Sequence, residues 1–71
     1  MKRDMLDRQQ SAQFFHLSVR EFNRYVRMEV VERGIDGRKY DVPHKLWTKD
    51  MLERAAPRLR RAEEVLANGS L

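Results

Sequence analysis

Cysteine is absent from the 71 residues, so neither a disulfide framework nor a thiolate metal site can substitute for a hydrophobic core. A chain with no cysteine fits a reducing compartment. No apolar run approaches the roughly 20 residues that span a bilayer. The N-terminal MKRDMLDRQQ carries charges with no apolar stretch behind them, unlike a signal peptide. There is no Gly-rich phosphate loop and no nucleophile elbow. The two histidines, His16 and His44, lie far apart and without the spacing of a metal site. A chain this short forms one domain and buries only about 60% of its unfolded surface. That leaves little room for a substrate pocket. Neither an enzyme, a cofactor nor a metal is expected, and a cytoplasmic, non-membrane protein is.

What the chain has is positive charge. Lys and Arg number 15 against 11 Asp and Glu, for a net charge of +4 and a pI near 10.0. That balance points to a polyanion, nucleic acid first and an anionic membrane surface second.

The chain shows no repeat, linker or low-complexity tract, and residues 1–5 and 68–71 read as frayed ends. Residues 7–15 predict a helix. Asp7 caps it, with Gln10 three residues on, and Ala12 and Phe15 share a face with Phe14 beside it. His16-Leu17 breaks it. Ser18 and Glu21 then form a second capping box, opening a helix from Val19 to about Met28. Two short helices and a tight turn make a helix-turn-helix shape. Its turn needs a residue tolerant of a left-handed backbone, and His16 would fill that place.

Val30, Val31, Ile35, Tyr40 and Val42 favour strands, and Asp36-Gly37 is a hairpin signal. The expected strands are Glu32–Ile35 and Lys39–Val42. Pro43 suits a helix start, so His44–Ala56 is expected to be helical. In the alternative, Thr48 is the cap and the second strand runs on to Trp47. Pro57 should kink or restart the helix, which continues to Ala67 and stops at Asn68-Gly69. The fold class is therefore mostly α with a small β-hairpin (α+β). It is one domain over residues 1–71, with a helix pair at 7–28, a hairpin at 32–42 and C-terminal helices at 43–67.

At about 100° per residue the second helix separates two faces. Val19, Phe22, Tyr25 and Val26 suit a core. Arg20, Asn23, Arg24 and Arg27 form the opposite stripe. Arg and Asn pair bidentately with guanine and adenine edges. The first half of such a helix usually approaches the bases. Val19, Arg20 and Asn23 are thus candidates for base contact, and Arg24 and Arg27 for phosphates. A solvated face is the plain alternative, but only Glu21 offsets the charge along residues 16–27. Around the hairpin, Arg33, Arg38, Lys39, Lys45 and Lys49 outnumber Asp36 and Asp41, and a basic tip at Arg38-Lys39 suits phosphates or a minor groove. Trp47 reads as core.

In this order of elements the chain resembles the small winged-helix proteins of phages and mobile elements. These are the excisionases, or recombination directionality factors, related in arrangement to the MerR-type DNA-binding domain. The likeness covers roughly residues 7–56. It lies in AQFFHLSVREFNRYVR (12–27), ERGIDGRKYDV (32–42) and KLWTKDMLERA (45–55), though family members often carry Gly where this chain has His16. The resemblance implies a winged helix-turn-helix with a C-terminal helix and no active site. It assigns Ser18, Val19, Arg20, Asn23, Arg24 and Arg27 to the major groove, and Arg38 and Lys39 to a wing in the minor groove. It further implies binding and bending of double-stranded DNA beside an attachment site, and recruitment of a tyrosine or serine integrase so that excision is favoured. Regulators of mobile-element transcription and small terminase subunits that recognise packaging sites share this shape. A module whose second helix docks an acidic protein is the reading from a different class. Leu52, Ala55, Ala56, Leu59, Ala62 and Leu66, with Val65 beside them, form a seam. That seam either closes the core or supports self-association through residues 52–67 on DNA, or an integrase contact.

Overall fold

A computed structural model describes residues 5–67. The order is β1 (Met5–Leu6), α1 (Arg8–Phe14), α2 (Val19–Arg27), β2 (Ile35–Asp36), a 3₁₀ turn (Gly37–Tyr40), β3 (Lys45–Thr48) and α3 (Lys49–Ala67). The three strands form one antiparallel sheet in the order β1-β3-β2. The coarse α+β class of the sequence reading therefore holds.

Both expected capping boxes are present. The Asp7 carboxylate accepts from the Gln10 N–H at 2.8 Å, and the Gln10 side chain accepts from the Asp7 N–H at 3.0 Å. Ser18 and Glu21 reciprocate in the same way at 3.1 Å each. These bonds satisfy amide donors that a helix start leaves without partners.

The two helix ends are built alike. After α1, His16 N–H donates to Gln13 C=O at 3.0 Å and Leu17 N–H to Ala12 C=O at 2.9 Å. After α2, Glu29 N–H donates to Val26 C=O and Val30 N–H to Tyr25 C=O, both at 3.0 Å. This is the Schellman arrangement, which needs a left-handed residue just past the helix. His16 (φ 58°) and Glu29 (φ 64°) supply it where glycine is usual. Leu17 and Val30 then turn inward and pack on the core. The place predicted for His16 is thus the place it holds.

The core consists of Ala12, Phe22, Tyr25, Val31, Trp47, Met51, Leu52, Ala55 and Leu59. Trp47 meets Phe22 edge to face, with ring centroids 5.0 Å apart, and its indole N–H donates to Glu32 C=O at 2.8 Å. Both faces of β3 are covered, since Leu46 is also buried but lies outside that cluster. Of the predicted core stripe on α2, Phe22 and Tyr25 are buried and Val26 half-buried, while Val19 in the first turn is exposed.

Four expectations are corrected. Met5 is not frayed: with Leu6 it forms a strand whose partners are Thr48 and Trp47. Both hairpin strands are displaced: the first is Ile35–Asp36 rather than Glu32–Ile35, and the second is Lys45–Thr48 rather than Lys39–Val42, so that Leu46 pairs with Ile35 and Lys45 with Asp36. The reason is local. The Asp36 carboxylate accepts from the Arg38 N–H at 3.0 Å and starts a 3₁₀ turn, which Asp41 closes at φ 63°. A two-residue hairpin is thereby pre-empted, and the strand-favouring Tyr40 and Val42 fall in the loop. Third, α3 begins after Thr48, not at Pro43, and the Thr48 hydroxyl accepts from Met51 N–H at 3.1 Å. The alternative start is the correct one. Fourth, Pro57 does not restart the helix or divide residues 43–67 into two helices, because Lys49–Ala67 is continuous. Pro57 and Glu53 are both exposed, so water can take the carbonyl that the missing N–H leaves. Contacts of Ala55 and Leu59 hold the helix on either side. The stop expected at Asn68-Gly69, and the frayed ends at 1–4 and 68–71, lie outside the described residues.

Two substitutions test this scheme. A left-handed non-glycine residue costs about 1–2 kcal/mol, of which glycine returns part through its greater unfolded-state entropy. His16→Gly is therefore expected to stabilise by about 0.5–1 kcal/mol, read as a rise of a few degrees in Tm. Gly37 is the opposite case. A Cβ there would sit 1.9 Å from His44 O and 3.0 Å from Val42 O. Gly37→Ala is expected to cost about 2–3 kcal/mol in urea denaturation, because backbone must move to admit the methyl.

Candidate nucleic-acid interface

The capping box at Ser18 and the burial of Phe22 and Tyr25 fix how α2 is rotated. That rotation turns Arg20, Arg24 and Arg27 outward, and all three are exposed. Among the described residues, ion pairs within 4 Å are Arg38–Asp36 and Arg54–Glu32, and neither includes these arginines. The stripe predicted from sequence is therefore a cationic surface with no carboxylate partner among them.

Other predicted site residues are less available. Ser18 is engaged in its cap: its hydroxyl accepts from Glu21 N–H and donates to Glu21 Oε1 at 3.2 Å. Asn23 is half-buried, and its Oδ1 accepts a hydrogen bond from Arg8 Nη1. That bond occupies one of the two acceptor positions of the Asn23 oxygen. Val19, at 38% exposure, presents its methyl groups to solvent.

On the hairpin, Lys39 is exposed. Arg38 is folded back onto Asp36 through a fork, Nε to Oδ1 at 3.1 Å and Nη2 to Oδ2 at 3.0 Å. These bonds, with that from the Arg38 N–H, hold the Asp36 carboxyl down at about 2 and raise the Arg38 guanidinium. The charge of the predicted tip is thus half spent internally.

The structure adds residues that the sequence did not single out. A groove of about 410 Å³, open to solvent, runs between α2 and the sheet. Its charged lining is Arg8, Arg27, Arg33 and Lys45, one each from α1, α2, the loop before β2, and β3, with Val26, Gly34 and Trp47 between them. Arg27 alone belongs to the predicted stripe. Arg33 and Lys45 figured in the sequence only as part of a basic hairpin. Arg8 had one signal: it is a cation in the first turn of α1, where the helix dipole disfavours it. It is held there instead by Asn23 and by the Trp47 ring, whose centroid lies 5.1 Å from its guanidinium carbon. Gly34 permits the loop to press on β3, since a Cβ there would meet Lys45 Cβ at 2.8 Å and the Trp47 ring at 3.0 Å.

Among the described residues, no three His, Cys, Asp or Glu side chains gather as metal ligands, and no helix is long and apolar enough to cross a membrane. No family model, curated protein or solved structure matches the chain.

The Asp36 fork has a pH signature. A carboxyl whose folded-state pKa is depressed stabilises the fold above its unfolded value and loses that contribution as pH falls through its folded value. For Asp36 the window runs from 3.8 down to about 2. In a carbon-detected NMR titration its carboxyl is expected to titrate near the lower end. Arg38→Ala keeps the backbone N–H bond but should move that midpoint part of the way back toward 3.8, and an unmoved midpoint would remove the Arg38 side chain as a cause.

Proposed function

We propose that the protein is a sequence-specific DNA-binding module of the winged helix-turn-helix type, with α2 in the major groove and the β2–β3 hairpin along the backbone or minor groove. The observation that carries this reading is the uncompensated stripe Arg20, Arg24 and Arg27 on the second of two tightly joined helices. Helices built only for solubility usually mix their signs. The sheet and α3 support it by backing the hairpin with a core that ends in Trp47 and Leu46. Because Arg38 is paired with Asp36, Lys39 and Lys45 are the hairpin cations best suited to phosphates.

Within this reading the resemblance to excisionases sets the biological role. The protein would bind beside an attachment site, bend the duplex and help a tyrosine or serine integrase toward excision. Val65 and Leu66, exposed at 54% and 41% near the end of α3, support an added contact with a neighbouring protomer or the integrase. The inner part of the same seam, Leu52, Ala55 and Leu59, is spent in the core.

Binding through phosphates falls steeply with salt, by about 0.9 in log–log slope for each phosphate neutralised. Arg24→Ala is expected to weaken all duplexes about equally and to lower the slope by about that amount. Arg20→Ala is expected to cost about 1–3 kcal/mol on the preferred site and far less on random duplex. Gel-shift titrations on random duplex and on attachment-site DNA, at two salt concentrations, measure both. No binding to either DNA at low salt would overturn the DNA reading and make the stripe a docking face for an acidic protein.

A further inference from the structure

Four cations meet in the groove beside α2, and each comes from a different element. Arg8 begins α1, Arg27 ends α2, Arg33 precedes β2, and Lys45 begins β3. No carboxylate lines the groove, and none of the four takes part in an ion pair among the described residues. Lys45 has Asp36 opposite it across the strand pair, but no carboxylate lines the groove beside the three arginines, and an anion seated among like charges relieves their repulsion. The arrangement is also partly rigid. Arg8 is fixed on two sides, by the hydrogen bond to Asn23 and by the Trp47 ring beneath it. Lys45 is set by the pairing of β3 with β2, where it faces Asp36. The close packing of Gly34 on β3 holds the loop that carries Arg33.

The chemistry selects a phosphate ester. Guanidinium forks match the geometry of phosphate oxygens, and a lysine adds a compact point charge. Half-buried Val26 supplies an apolar contact for a sugar, while Trp47 lies buried beneath Arg8 as the floor of the site. At about 410 Å³ and open to solvent, the groove admits a continuous chain and does not enclose a small ion.

We infer that this groove is a clamp for the sugar-phosphate backbone of one DNA strand, formed jointly by Arg8, Arg27, Arg33 and Lys45. The inference rests on the DNA-binding reading and extends it. Contact is not confined to α2 and the hairpin tip, and Arg27 joins the two surfaces. The clamp carries no sequence information; it sets the register in which Arg20 and its neighbours meet the bases. Asn23 is linked to it through Arg8.

The test uses the full chain and the fact that Trp47 is its one tryptophan. Its ring lies beneath the Arg8 guanidinium, so its emission responds to changes at that edge of the groove. Wild type, Arg33→Gln, Lys45→Gln and the double variant are titrated with a random duplex of about 20 base pairs between about 50 and 200 mM salt. Arg33 and Lys45 are exposed and lie outside α2, so both the fold and the α2 stripe should persist, checked by circular dichroism melts. Arg61→Gln on α3 is the control for loss of one charge elsewhere. The expected result is a change in Trp47 emission on binding, and a fall of at least about 0.9 in salt slope for the double variant, with loss of the emission change. Arg61→Gln should keep both. If the wild type binds but the double variant retains slope and emission change, the clamp is wrong and the DNA reading stands. If the wild type binds no duplex at the lowest salt, the DNA reading fails and the clamp with it. If inorganic phosphate at matched ionic strength produces the same emission change and displaces duplex, the groove is a site for free phosphate and the backbone assignment is overturned.

Discussion

Trp47 is the contact through which the remaining elements find their places. It stands on the central strand, pairs across to Leu6, meets Phe22 of α2 edge to face, donates its indole N–H to the Glu32 carbonyl, and carries the Arg8 guanidinium over its ring. Two helices, the connecting loop and two strands thus converge on one side chain. In a domain this small, one large aromatic supplies a sizeable share of the buried apolar area. Losing it would also strand a carbonyl and release Arg8. The basic groove beside α2 exists because the same residue that closes the core also seats a cation at its edge.

The helix pair shows a second economy. Both α1 and α2 end in the same hydrogen-bond pattern, and both use a non-glycine residue in the left-handed position. The 3₁₀ turn ends with a third, Asp41. Each carries strain that glycine would lessen. What each turn secures is direction. Leu17 and Val30 are sent back into the core, which fixes the angle at which α2 leaves α1 and the point from which the loop reaches the sheet.

Charge is distributed by the same logic. Two cations are paired with carboxylates, Arg38 with Asp36 nearby in sequence and Arg54 with Glu32 across the fold. Such exposed pairs contribute little to stability. Cations outside these two pairs include the outer stripe of α2 and the groove lined by Arg8, Arg27, Arg33 and Lys45. Arg27 belongs to both.

Much of this was legible in the residues. The caps at Asp7 and Ser18, the left-handed His16, the two faces of α2 and the burial of Trp47 all follow from spacing within a few residues, where local physics dominates. The hairpin was misplaced because Asp36-Gly37 carries two competing signals: a two-residue turn, and an aspartate that bonds to the amide two residues on. The second prevailed, and β3 shifted to Leu46-Trp47, whose burial against Ile35 and Leu6 was not visible locally. The groove was invisible for a stronger reason. Arg8, Arg27, Arg33 and Lys45 have no periodic relation in the chain. By itself the sequence determined where α1 and α2 begin and end and which face of α2 is charged, since those depend on neighbours three or four positions away. Only tertiary structure decided which strand is central, how Asn23 is engaged and which cations meet, because those depend on contacts between residues distant in sequence.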